Sequence, residues 1–437
     1  MEPDLAFSPV SQQERIGAVD TVRGFALLGI LTMNITAFAL AEGIDFNPYA
    51  HGPTSTANVL IWALRFVLCD GKMRALFSML FGAGVILLTG RAENRGAAAQ
   101  AADIFTRRNM WLVLFGLIHA YFLWFGDVLY IYGVTALLFL YPCRKLSART
   151  LIIAGLAVLA LSVGWRIKRF EDGVHLAQRA AAADAAAKSG KALTDDQKKD
   201  QTDWHHRVEF VHPDQKTIDE QNSKMRAGYL SVFHLNASLN VQFQSLFYYR
   251  FGFCDPLAMM LIGMGLLRAG FLSGQLSSKT YGLIALAGYG IGLPLGFLMA
   301  WIPWRSGFDP ITCYKWFFLP YDFQRLCVAL AHASVLLLLV RAGAVPWLMK
   351  RLGAVGQTAL SNYLGTTVIC VTLFDGFGFK LFGKLHLSQL MVVVLAVWCV
   401  NFIVSPIWLK YFRFGPVEWL WRSLTYWQLE PMRRQQP

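Results

Sequence analysis

Long apolar stretches separated by short basic gaps dominate this chain. A helix rises about 1.5 Å per residue, so roughly twenty apolar residues cross a hydrocarbon core of about 30 Å. The apolar runs fall at Gly24–Ala41, Ala75–Gly90, Asn109–Phe125, Val128–Tyr141, Leu151–Trp165, Pro256–Phe271, Tyr281–Trp301, Phe323–Val340, Thr358–Phe374 and Leu390–Leu409. They predict an all-α fold, a polytopic transmembrane helical bundle of about ten spans. The Ala57–Leu68 piece, with Trp62, Arg65 and Phe66, is amphipathic and reads as a helix lying on the membrane surface rather than crossing it. Gly288, Gly292 and Gly296 recur at helical spacing in the seventh run, which predicts close helix–helix packing there.

The stretch from Lys168 to Arg250 breaks the pattern. It carries an Ala-rich run, Ala180–Ala187, then Asp195, Asp196, Lys198, Lys199 and Asp200. It reads as a polar extracytoplasmic insertion, helical or partly disordered. The expected division is therefore 1–165 as an N-terminal transmembrane half, 166–252 as the insertion, and 253–437 as a C-terminal transmembrane half with an interfacial tail.

Composition narrows the class. Of 437 residues, 55% are hydrophobic and only 15% charged, too few polar groups to cover a soluble domain. The net charge of +13 does not point to nucleic acid, because the basic residues sit in the gaps between apolar runs. Arg91, Arg95, Arg107 and Arg108, then Arg144, Lys145 and Arg149, then Arg268 and Lys279, then Arg341, Lys350 and Arg351, then Lys410 and Arg413 all share one side of a ten-span bundle. The positive-inside rule puts that side, and both termini, in the cytoplasm, with Lys380 and Lys384 as a mild exception. The start of the chain is polar and has no leader pattern, so the first span is expected to be its own signal anchor. The seven cysteines lack ligand or disulfide spacing and read as packing residues.

Polar groups inside apolar runs carry the candidate chemistry. Asp20 and Arg23 share one face at the start of the first run, either as an interfacial anchor or as part of a site. Counted from the basic flanks, Asn34, His119 and Asn362 lie about 16 Å deep, and His332 and Asn401 about 13 Å. Five side chains at one level predict a buried polar cavity, with Tyr363 beside Asn362. His119 is a candidate general base and Asp127 its partner, with Tyr130 close behind. Eight residues along one helix span about 12 Å, so the two are expected to serve one cavity at different depths unless the chain turns back after Gly126. His51, in the loop after the first span, is a competing base. His205, His206 and His212 show no acidic or cysteine partner at ligand spacing, so no metal site is expected. There is no P-loop, dinucleotide fingerprint, G-x-S-x-G or zincin helix.

Several blocks carry a resemblance. D-T-V-R-G-F-A-L-L-G-I-L-T-M-N-I, G-K-M-R-A-L-F-S-M-L-F-G-A-G and G-L-I-H-A-Y-F-L-W-F-G-D-V-L resemble successive blocks of the YeiB-like bacterial membrane proteins, a family of unknown function. G-Q-T-A-L-S-N-Y-L and Y-F-R-F-G-P-V-E-W-L-W-R-S-L-T-Y resemble its C-terminal half. That family is similar to membrane-embedded acyltransferases, including the acyltransferase-three enzymes and the lysosomal heparan glucosaminide acetyltransferase. The shared piece is the D-x-x-R-G helix. Acyltransferase-three proteins carry His where this chain has Asn34, whereas the heparan enzyme carries Asn there and a working His in the following loop, comparable to His51.

The resemblance implies a multi-pass protein of the bacterial plasma (inner) membrane. It implies no bound cofactor, acyl-coenzyme A as co-substrate, and a glycan or lipid acceptor. Arg23 with Lys72 or Arg74 would meet the donor's phosphates, His119 or His51 would act as base, and Asn34 and Asn362 would steady the oxyanion. The competing class is a transporter or exporter, with the midplane layer as its substrate site. The bilayer is the one certain partner, nucleic acid is excluded, and the oligomeric state stays open, a dimer included. The stretch Phe412–Trp427, with Trp419, Trp421 and Trp427, reads as an interfacial aromatic anchor.

Overall fold

The structure, a computed structural model, describes residues 17–94 and 98–434. Its elements are helices: α1 Gly17–Ala39, α2 Thr56–Leu68, α3 Lys72–Asn94, α4 Ala98–Phe122, α5 Leu129–Thr135, α6 Tyr141–Cys143, α7 Ala148–Lys188, α8 Asp195–Glu209, α9 Gln215–Ala227, α10 Tyr229–Val241, α11 Cys254–Arg268, α12 Ser278–Arg305, α13 Pro310–Phe318, α14 Tyr321–Arg341, α15 Pro346–Gln357, α16 Ala359–Phe374, α17 Leu387–Tyr411 and α18 Pro416–Tyr426. Two π-helical stretches, Ala136–Leu140 and Gln242–Gly252, join α5 to α6 and follow α10. Polar caps set several starts: Ser55, Ser147 and Ser277 each accept a hydrogen bond from a backbone N–H three residues on, and Thr194 forms a capping box with Gln197.

Among the described residues, six helical segments are long and apolar enough to cross a membrane: Gly17–Ala39, Thr56–Gly90, Ala148–Lys188, Ser278–Arg305, Tyr321–Arg341 and Leu387–Tyr411. The bent pair Tyr229–Arg250 and Cys254–Arg268, angled by 62°, adds a seventh if it crosses as one. Other apolar runs of the sequence fold into shorter helices, Leu129–Cys143 and Ala359–Phe374. α11 shows why hydropathy alone overreads such runs, since twelve of its fifteen residues are buried by neighbouring helices. Its apolarity serves the protein core, against α3 and α7. The amphipathic α2 buries Asn58, Trp62, Arg65 and Phe66 and leads directly into α3.

The polar stretch after residue 165 begins as an extension of a helix long and apolar enough to span a membrane. α7 runs unbroken for 41 residues through the expected boundary. α8 folds back along it, with Arg179 Nε and Nη2 donating to Asp200 at 2.9 and 3.0 Å. α10 docks on α4, where Asn240 Nδ2 donates to the Ala120 carbonyl at 2.7 Å. The segment is helical and packed.

Glycines set the closest helix contacts. A Cβ on Gly24 would run into the Leu352 carbonyl, and one on Gly356 into the Asp20 carbonyl, so α1 and α15 cross backbone to backbone. Gly288, Gly292 and Gly296 place α12 against Cys327, Val328 and Gln324 of α14, as their spacing predicts. α18 is clasped from two sides. Its Glu418 accepts hydrogen bonds from Leu360 N at 2.6 Å, Ser361 N at 3.1 Å and the Ser361 hydroxyl, at the first turn of α16. Its Trp421 Nε1 donates to the Arg108 carbonyl at 2.8 Å, and the Arg108 guanidinium lies 3.6 Å over the Trp421 ring. The stretch read as an aromatic anchor is thus largely a packed closure, with Trp427 left exposed.

Two expectations follow. Gly24→Ala forces α1 off α15 and lowers stability by about 1–3 kcal/mol, whereas Gly282→Ala, with nothing near its Cβ, leaves it unchanged; equilibrium unfolding in detergent compares the two. Glu418→Ala leaves two buried amides unpaired and costs about 1–3 kcal/mol by the same measurement.

Candidate functional site

A cavity of about 250 Å³ opens beside the start of α1. Asp20, Arg23, Arg108, Gln357, Glu418 and Arg422 line one end. Phe77, Leu80, Phe81 and Leu112 form apolar walls, and Tyr132 and Tyr363 also face it. Along α1 the lining runs from Val19 to Ile30, about 16 Å at the helical rise. Arg23 is held in place: its Nη1 donates to Asp20 Oδ1 at 2.6 Å and lies 3.5 Å from the Gly356 carbonyl. A basic end joined to an apolar trough suits an amphiphile with an anionic head.

His119 and Asp127 meet directly. α4 ends at Phe122, the N–H groups of Leu123 and Trp124 both return to the His119 carbonyl, and the chain doubles back. Asp127 Oδ1 then lies 2.9 Å from His119 Nδ1, while Oδ2 accepts from Tyr130 N at 2.8 Å at the start of α5. The expected separation along one helix is removed by that turn, and Gly116 lets the returning backbone approach, since a Cβ there would strike Tyr130 N. A carboxylate only accepts, so Nδ1 carries a proton, while Nε2 lies 3.0 Å from the Thr367 hydroxyl, which donates to the Tyr363 carbonyl at 3.3 Å. Both side chains are buried. His119 stands behind Tyr363, ring centroids 5.1 Å apart, and the Tyr363 hydroxyl has no hydrogen-bond partner among the described residues.

The other sequence candidates do not join this cavity. Asn34 is half-buried on α1 and does not line it. Asn362 Nδ2 donates to Ser405 Oγ at 2.9 Å, and Asn401 Nδ2 to Thr366 Oγ1 at 3.4 Å, both between α16 and α17. His332 bonds Tyr289 at 2.7 Å and the Leu68 carbonyl at 2.9 Å. The five midplane residues therefore fall into separate networks: a common depth fixes height along a helix but not the direction it faces.

Lys72 and Arg74 lie apart from Arg23. Lys72 Nζ donates to the Phe66 carbonyl at 2.6 Å, and Arg74 Nη2 to Asp255 Oδ2 at 2.9 Å. Gly71 N rests against Met33 Sδ at 3.2 Å, ten residues beyond Arg23 on α1, about 15 Å by the helical rise. The Tyr130 hydroxyl pairs with that of Tyr249 at 3.0 Å. His51 Nε2 sits 3.2 Å from the Glu42 carbonyl, outside the cavity, and burial lowers its imidazole below the ordinary histidine range.

The histidine trio also separates. His212 is committed to the Phe308 carbonyl and Asn47. His205 instead lies near Glu209 and Asp214, acidic partners that sequence spacing had not suggested, in an exposed cluster.

Sequence reasoning missed Arg422 and Glu418 and read Arg108 only as a topology signal. It also missed Asp255, Asp322 and Arg325. Asp322 and Arg325 repeat the three-residue spacing of Asp20 and Arg23 at the head of an apolar run, a signal that was available.

The profile of a family described as protein of unknown function (DUF418) matches residues 266–428. The uncharacterized protein YeiB of Escherichia coli (strain K12) is 30% identical over 422 residues, covering 94% of this chain and 96% of its own. The uncharacterized protein YxaH of Bacillus subtilis (strain 168) is 28% identical over 453 residues, 98% of each chain. No solved structure matches. Similarity at that level over almost the whole length, on an all-helical membrane-type fold, establishes that the chain belongs to the YeiB-like family, whose function is unknown.

Proposed function

We propose that the chain is a membrane acyltransferase that moves an acyl group from coenzyme A to a hydroxyl or amine of a glycan or lipid acceptor. One observation carries the reading: a single cavity joins the Arg23–Arg108–Arg422 end to Tyr363, behind which stands the His119–Asp127 pair. The arginines suit the donor's phosphates, and the apolar trough suits its acyl-pantetheine arm. At the deep end the acceptor oxygen attacks the thioester carbonyl. Its proton passes to His119 Nε2, the C–O bond forms, the C–S bond breaks, and the proton leaves on the thiol of coenzyme A. Asp127 fixes the tautomer and balances the imidazolium. The unpartnered Tyr363 hydroxyl is the group to donate to the oxyanion, a role that Asn362, bonded to Ser405, does not fill.

The setting is the bacterial inner membrane, with both termini in the cytoplasm and the arginine end of the cavity facing the cytoplasmic donor. In that arrangement α4, α5–α6, α11 and α16 cross together with the six long segments, which makes ten. The bent pair at 62° favours a second reading, a transporter, because broken helices frame many transport sites.

The purified protein is expected to show a raised Tm with acetyl- or long-chain acyl-coenzyme A, lost in Arg23→Ala. No shift with any of these donors overturns the reading and transfers it to transport. With water as surrogate acceptor, His119→Ala is expected to slow thiol release from acetyl-coenzyme A by about 100-fold or more while donor binding persists. Thiol release at the unmodified rate would remove His119 from the mechanism.

A further inference from the structure

A second charged region lies beyond the cavity. Arg74, Arg166 and Arg325 gather around Asp255 and Asp322 where α3, α7, α11 and α14 meet, and Lys72 stands within electrostatic reach of Arg325. Arg74 Nη2 lies 2.9 Å from Asp255 Oδ2, Arg325 contacts Asp255 and lies 2.7 Å from Asp322 Oδ1, and Arg166 Nη2 lies 3.3 Å from Asp322 Oδ2. Asp70 stands within electrostatic reach of Lys72. Four cations against three carboxylates leave one positive charge in excess.

The region has a closed back and an open front. The side chains of Arg325 and Asp322 are 1% and 2% exposed, while Arg74 and Asp255 retain 35% and 24%. Donors are left over: Arg325 Nε and Nη1 and Arg74 Nε have no hydrogen-bond partner among the described residues. Buried guanidinium N–H groups are costly to leave unpaired. Their planar array matches the oxygens of a phosphate or carboxylate. Asp322 Oδ2 is likewise without a hydrogen-bond partner among the described residues, and self-contained ion pairing would not leave the charge excess.

We infer that this crevice is a second binding site, which takes the phosphate or carboxylate group of an acidic ligand. It is separated from the cavity by Tyr132, whose ring lines the cavity and whose hydroxyl lies 2.5 Å from Ser78 Oγ and 3.4 Å from the Arg74 carbonyl. Taken with the acyltransferase reading, on which this step alone rests, the acidic ligand is the acceptor, held across Tyr132 from the donor.

The test uses the full-length protein in phosphatidylcholine nanodiscs, titrated calorimetrically with methyl phosphate and with glucuronate. Saturable one-to-one binding of at least one probe is expected. Arg74→Gln should weaken it by about tenfold or more. Asp70→Asn, which deletes a nearby negative charge, should strengthen it, and this opposite sign keeps the proposal falsifiable if Arg74→Gln does not fold. Phosphatidate added to the discs competes with the soluble probe if the natural ligand is a lipid and does not if it is free in solution. No binding of either probe, or binding indifferent to both Arg74→Gln and Asp70→Asn, overturns the site. Anion binding without a coenzyme A response leaves this site standing and removes the acyltransferase reading, and the reverse result removes only this site.

Discussion

The contact between α1 and α15 positions the charged end of the cavity. At Gly24 and Gly356 the two helices touch through their backbones, with no side chain between them. That closeness brings the Gly356 carbonyl to Arg23 and fixes the guanidinium beside Asp20. The same crossing leads the chain into α16, whose first turn receives Glu418 from α18. α18 in turn lays Trp421 under Arg108. Three basic side chains from three helices thus face one opening because two glycines let their scaffold close.

Helix identity was legible in the sequence, because apolar length and cap residues act locally. The α12–α14 packing was legible too, since small residues four apart can only mark a close neighbour. Which apolar run faces lipid was not: α11 and the candidate spans share hydropathy, and only the surrounding helices decide what an apolar face meets. The His119–Asp127 pair was half legible. Both residue types stood out, but the turn at Trp124–Gly126 that joins them is a tertiary fact. The similar count of Asn34, Asn362, His332 and Asn401 along their apolar runs did not imply a shared cavity, because rotation about each helix axis is set by packing. Arg108 and Glu418 were hidden because their partners, Trp421 and the α16 amides, are hundreds or tens of residues distant.

The bundle treats its interior polar groups in two ways. His119, Asn362 and His332 are tied off by hydrogen bonds to their neighbours. Tyr363 and the guanidiniums of Arg74 and Arg325 keep atoms without partners. Function is expected at the second kind, because a group left unsatisfied in a low-dielectric interior is preorganised for something that arrives from outside.

α7 has a mechanical consequence. Its 41 residues form one continuous helix, about 60 Å long at the helical rise, twice the thickness of a hydrocarbon core of about 30 Å. One half is gripped against α11 and the other stands clear, braced by α8. Arg166 sits where the gripped half gives way to the free arm. Because the helix is unbroken, the Arg166–Asp322 contact ties its far arm to α14 through one continuous rod.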